Sequence, residues 1–137
     1  MLYQLIINDK ELSYDNYKED FYIGFFKSKE EAKNIAEYYI KNIEGFKDYP
    51  CEYRIIEKEV EGNLENKIWM IQGYDINENE DEINIVESKC YTNKELAQKE
   101  LEKYKNQYKR QEWYISSWIV DKKEYEDGFF RATYKVE

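Results

Sequence analysis

FYIGFFKSKEEAKNIAEYYIKNIEGFKDYP, residues 21–50, reads as a strand, a capped helix and a tight exit, and the rest of the chain is organised around it. Phe21–Phe26 is almost continuously apolar, as in a central strand covered on both faces. Gly24 within that run predicts a bulge or a close approach by the helix backbone. Ser28-Lys29-Glu30-Glu31 is a capping box, in which the Ser28 hydroxyl accepts from the Glu31 amide and the Glu31 carboxylate reaches back. Ala32, Ile35, Ala36, Tyr39, Ile40 and Ile43 then recur at helical spacing, so one face of a helix over 29–43 packs on a sheet. Gly45 stands where a left-handed cap ends such a helix, and Asp48-Tyr49-Pro50 turns the chain.

Working outward, Leu2–Ile7 is β-prone, with turn chemistry expected at Asn8-Asp9-Lys10 and Ser13–Asn16. Strands are expected at Tyr53–Val60, Ile68–Tyr74, Ile83–Cys90 and Trp113–Val120. A last one is expected at Phe129–Val136, after the Asp127-Gly128 turn. Thr92-Asn93-Lys94-Glu95 reads as a second capping box. Ala97, Leu101, Tyr104 and Tyr108 follow Ala32, Ala36, Tyr39 and Ile43 at a constant offset of 65 residues. The expectation is therefore α+β: two tandem β-β-α-β units of split βαβ type, with two helices on antiparallel or mixed sheet of six or seven strands. Residues 1–137 then form a single domain built from halves 1–61 and 67–137, joined at the polar stretch Glu61–Asn66. Either one continuous sheet carries both helices, or two small sheets meet face to face.

Composition bounds the function. A chain of 137 residues can bury about two thirds of its unfolded surface, so no metal or disulfide staple is required. Charged residues make up 37% of the chain, and the apolar content leans on 15 Tyr, 6 Phe and 3 Trp. These side chains combine area with a polar handle, which suits both a small core and a recognition surface. A net charge of −9 opposes binding to nucleic acid or an anionic membrane, and favours a basic partner. Neither a signal peptide nor a membrane span is expected. Cys51 and Cys90 lack a CxxC or a histidine to complete a zinc site, so two structural thiols in a reducing cytoplasm are expected, with a Cys51–Cys90 bridge as the alternative, since spacing alone does not fix their distance.

The chain contains no histidine, which removes Ser-His, Cys-His and His-metal mechanisms. Its five glycines are isolated, so there is no phosphate loop. Carboxylate pairs at Glu30/Glu31, Glu80/Asp81/Glu82 and Glu126/Asp127 follow from the acidity alone, and nothing in the sequence sets them at glycosidase spacing. Asp75, Asn77, Asn79 and Asp81 alternate like a calcium loop. That pattern breaks at Glu80, where glycine is needed, and at Val86, where a bidentate Glu is needed. Lys99, Lys103, Lys105, Lys109 and Arg110, interleaved with Tyr104, Tyr108 and Trp113, resemble a stacking strip, but the structural reading is favoured, since cations complement the C-terminal half of a helix and Tyr104 and Tyr108 belong to its buried stripe.

Tyr22-Ile23-Gly24-x-Phe26-x-Ser28-Lys29-Glu30-Glu31-Ala32, followed by Gly45-Phe46-Lys47-Asp48-Tyr49-Pro50, resembles a small bacterial domain type of unknown function. A strand, an SKEEA helix start and a GFxDxP exit recur in that type. The resemblance covers roughly the first 60 residues and implies a fold, with similarity to immunity-like or accessory proteins as analogy. The function expected is a non-catalytic acidic protein-binding module, an immunity or neutralising protein for a basic partner, with no enzyme activity and no cofactor. Its candidate interface comprises the anchors Trp69, Trp113 and Trp118, to the extent that they are exposed, and the acids Glu80, Asp81 and Glu82. The alternatives are a homo-oligomeric structural or accessory protein pairing through sheet edges or aromatic faces, and a nucleic-acid mimic. The 21 basic residues scattered among the acids disfavour the mimic.

Overall fold

In a computed structural model of the chain, residues 1–14 and 17–131 are described. They form an α+β fold of two sheets, each carrying one helix. In the first sheet β1 (Leu2–Tyr14) lies between β2 (Tyr17–Phe26) and β3 (Cys51–Lys58), antiparallel to both, and α1 (Lys29–Asn42) links the two outer strands. In the second sheet β5 (Lys67–Ile76) lies between β6 (Glu82–Tyr91) and β7 (Glu112–Ile119), again antiparallel to both, and α2 (Lys94–Gln107) links the outer strands. A two-residue β4 (Val60–Glu61) pairs in parallel with the outer side of β6 at Cys90 and Tyr91. The seam between the halves thus begins after the chain has already joined the second sheet.

Side-chain alternation explains the layering. Leu5 and Ile7 of β1 pack with Ala32, Ala36 and Tyr39 of α1, while Leu2 points the other way. On β5, Trp69 and Ile71 pack with Ala97 of α2, while Ile68 and Met70 point away from it. Leu2 and Phe25 of the first sheet meet Ile68, Met70 and Cys90 of the second. The two sheets therefore stack through the faces opposite their helices, the face-to-face member of the expected pair, in four layers from helix to helix. Burying each such Leu, Ile or Phe contributes about 1.5–3 kcal/mol. Polar groups share this middle layer. Lys58 is buried and donates to the Ser88 carbonyl at 3.0 Å, with the Glu87 carboxylate 3.5 Å away. Gln4 is wholly buried there, and its amide has no hydrogen-bond partner among the described residues.

Four local expectations are corrected. First, β1 continues through Asn8-Asp9-Lys10 instead of turning. Asp9 is fully buried and held by Arg131 through two hydrogen bonds of 2.9 and 2.8 Å, and the Lys10 amide donates to the Pro50 carbonyl. Second, the cap of α2 is Asn93, which accepts from the Leu96 amide at 3.2 Å; Thr92 ends β6 and bonds to the Glu61 carbonyl instead. With Leu96 in the third helical position there is no reciprocal capping box, whereas Ser28 does accept from Glu31 at 2.9 Å. Third, Gly24 does stand at a bulge, where the β1–β2 register shifts between Leu5 and Ile6, but the backbone that approaches it is not the helix. A Cβ there would lie 2.4 Å from the Lys122 carbonyl oxygen. Fourth, Phe129–Arg131 is not strand, and the remainder of the expected last strand, 132–136, lies outside the described residues.

Residues 121–131 instead form a strap that returns to the first half. The Asp121 and Glu124 amides donate to the Phe25 and Ile23 carbonyls, both at 2.8 Å, so the outer edge of β2 is covered. Tyr39 donates its hydroxyl to the Glu124 carbonyl, and Phe129 stacks on Phe21 with centroids 4.3 Å apart. Gly45 has a positive φ of 86° and no room for a side chain, because Phe129 lies where its Cβ would be. That close approach, more than the end of the helix, is why glycine stands there.

Candidate functional site

The β1–β2 and β5–β6 hairpins run past the ends of their sheets on the same side of the molecule and close a groove of about 350 Å3 between them. The β5–β6 connection supplies its rim. Asn77 Oδ1 accepts from the Asn79 and Asp81 amides, at 2.9 and 3.0 Å, and so folds the loop on itself. Glu80 adopts a positive φ of 65° at the tip. This local order sets Glu80, Asp81 and Glu82 along one wall. Asp75, the first position of the calcium-like pattern, instead accepts from the Gln111 amide and the Asn84 side chain. These bonds hold its carboxyl below the usual carboxylate range.

The opposite wall comes from β1 and β2. Tyr14 donates to Asp81 Oδ2 at 2.6 Å and accepts from Asn77 at 2.8 Å, tying one hairpin to the other. Its ring lies 5.1 Å from that of Tyr17, whose hydroxyl bonds to Glu19. Asp20 also faces the groove, bridged by Arg54 through two bonds of 3.0 and 2.7 Å. At the floor Gln72 donates to Glu87 and, at 3.4 Å, to the Tyr22 hydroxyl; Tyr114 donates to Gln72 Oε1. Tyr74 packs edge-on against Tyr114 at 5.9 Å.

The electrostatics follow from this crowding. Burial first, and then nearby carboxylates, push the phenols of Tyr17, Tyr22 and Tyr114 up, the last to about 12. All three stay neutral near pH 7, so the groove presents aromatic faces, hydroxyls and carboxylates. Among the described residues Lys18 is the one cation in the lining, and Arg54 and Lys58 are already committed to Asp20 and Glu87. Such a surface accepts hydrogen bonds from a cation and offers it π faces. The two thiols lie elsewhere. Both are free, and burial raises Cys51 to about 11 and Cys90 to about 12, so neither presents a thiolate at neutral pH.

The site residues nominated from the sequence are brought together only in part. Glu80, Asp81 and Glu82 share the groove. The three tryptophans do not, and each is half-buried in packing. Trp69 and Trp113 join the α2 cluster, with Trp113 over Gly73, where a Cβ would lie 2.6 Å from the indole. Trp118 packs on Phe25 at 5.4 Å and donates to Ser116, beside a neighbouring groove that also contains Asp20 and Tyr22. The basic run on α2 is spent partly on its own helix, in the Lys103–Glu100 and Lys105–Glu102 pairs. Sequence reasoning missed the groove's tyrosines, because Tyr17, Tyr22, Tyr74 and Tyr114 come from three strands, β2, β5 and β7, and converge only through pairing. The one available signal was that Tyr22, Tyr74 and Tyr114 lie within or at the end of apolar runs; Tyr17, among Asn16, Lys18, Glu19 and Asp20, carried none.

No helix among the described residues is long and apolar enough to cross a membrane. In comparisons with protein-family models, curated proteins and solved structures, the chain matches none.

Proposed function

We propose that this chain is a non-catalytic, acidic protein-binding module whose tyrosine-walled groove receives a basic segment of a protein partner, as an immunity or neutralising protein would. The observation that carries this reading is the convergence, in one groove, of neutral tyrosines with Glu80 and Glu82, acids that have no ion-pair partner among the described residues. A guanidinium or ammonium group gains there from both carboxylates and ring faces, while the net charge of −9 speeds its approach. The free thiols suit a reducing, cytoplasmic setting.

Titration calorimetry and amide chemical-shift mapping with arginine-rich and glutamate-rich peptides of equal length test the reading. Binding is expected for the arginine-rich peptide alone, with shifts centred on Tyr17, Tyr74 and Glu80–Glu82 and affinity falling as salt rises. Glu80→Lys with Glu82→Lys should abolish it. Equal behaviour of the two peptides, or shifts confined to another surface, would overturn the assignment.

A further inference from the structure

Three stretches of this highly charged chain run seven or eight residues without Asp, Glu, Lys or Arg: Met1–Asn8, Ile68–Tyr74 and Trp113–Val120. The first two lie in β1 and β5, the central strands of the two sheets, where both neighbours and both faces are protein. The third is β7, which stands at the end of its sheet and pairs, among the described residues, only with β5. Every other outer strand is guarded. β3 carries Glu52, Arg54, Glu57 and Lys58; the outer side of β6 carries Glu82, Glu87 and Lys89; and the edge of β2 is covered by the 121–124 strap. Charges and covers of this kind are how sheets avoid edge-to-edge pairing; β7 has one charge, Glu112 at its first position, and from Trp113 to Ile119 it has neither among the described residues. It exposes Tyr114, Ser117 and Ile119 beside a row of backbone groups without a second partner.

We propose that β7 is an inner strand in the working molecule, paired antiparallel with β7 of a second copy of this chain. A twofold axis normal to the sheet requires that paired residues share a face. Centring that axis on Ser116 sets Trp113 opposite Ile119 of the second copy and Tyr114 opposite Trp118, leaving two small serines at the middle. These are aromatic and β-branched pairs, the kind that stabilise adjacent strands, and no like charges face each other. A chain with net charge −9 associates with itself most readily through an uncharged surface, and this edge is one. The result joins two four-stranded sheets into one of eight.

Light scattering during size-exclusion chromatography across the micromolar range tests this, with circular dichroism to establish that each variant is folded. The wild-type chain is expected to be a dimer. Ser117→Lys and Ile119→Lys, both on exposed positions of β7, should each raise the dimer Kd roughly tenfold or more by setting a cation on the pairing edge. Tyr38→Lys, on the exposed face of α1, should leave it unchanged. A wild-type monomer throughout would overturn the proposal, as would folded lysine variants that stay fully dimeric, or equal loss in the Tyr38 variant, which would place the contact elsewhere. A wild-type chain that stays monomeric and captures a strand of another protein through β7 would also overturn it, since the second copy would then not be the occupant.

Discussion

The two halves share an order of strands and a capped 14-residue helix, yet they are covered very differently. α1 buries Ala32, Ala36 and Tyr39, and Phe46 of the exit turn closes the cluster together with Phe129. α2 buries only Ala97; Leu101 and Tyr104 are half-exposed, and no aromatic exit follows Tyr108. The same scaffold therefore has one well-sealed core and one thin one. The seal on the first is borrowed, because Phe129 arrives on the strap that leaves the second sheet. What differs between the halves is not the path of the backbone but where the chain spends its large apolar side chains.

The sharpest way to break this contrast is to cut the seal. Phe46→Ala, at a fully buried ring, should cost about 3–5 kcal/mol in denaturant unfolding. Leu101→Ala on α2, half-exposed, should cost about 1 kcal/mol. Equal losses would mean that the second core is as dense as the first. A smaller effect comes from the caps. Ser28→Ala and Asn93→Ala each remove one side-chain acceptor at a helix start and should cost about 1 kcal/mol. Hydrogen exchange should speed mainly in the first turn of the helix concerned, and further along α2 than α1, because packing holds α2 less.

The smallest effect is in pH dependence. Burial, followed by Glu126 and Glu124, raises Tyr39 to about 12, and burial, followed by Glu82 and Glu87, raises Tyr114 to about 12, against an ordinary value near 10. The folded state therefore holds these protons where the unfolded chain releases them. Stability from the two groups is whole below pH 10 and drains away between 10 and about 12. Tyr39→Phe and Tyr114→Phe should each flatten the fall of the unfolding midpoint over that window, one in each half. A slope unchanged by either would show that these phenols do not carry it.

Most elements were legible because their periodicities are strong. The stripe from Ala32 to Ile43 and the apolar runs at Ile68–Tyr74 and Trp113–Val120 leave one reading each, and β3, β5, β6 and β7 fall within two residues of expectation. What escaped is what depends on a distant partner. Asn8-Asp9-Lys10 has the composition of a turn, and it is strand because it pairs with Glu19 and Asp20 of β2 and with Cys51 and Glu52 of β3, while Arg131, more than a hundred positions away, satisfies the buried Asp9. Phe129–Arg131 has the composition of a strand start, and the aromatic slot of Phe21 and Phe46 makes it a plug instead. The acids of the groove were visible as a cluster, whereas its tyrosine walls required two hairpins to meet.

The strap has a topological consequence. Because residues 121–131 travel back to lie along β2 and under Asp9, the first and last parts of the chain are interleaved, and neither half is a self-contained piece. A nick in the loop after Gly62 would leave two fragments clasped by their own ends. Expressing residues 1–61 alone would bare the ring of Phe21, an uncapped strand edge and an orphaned buried carboxylate at Asp9.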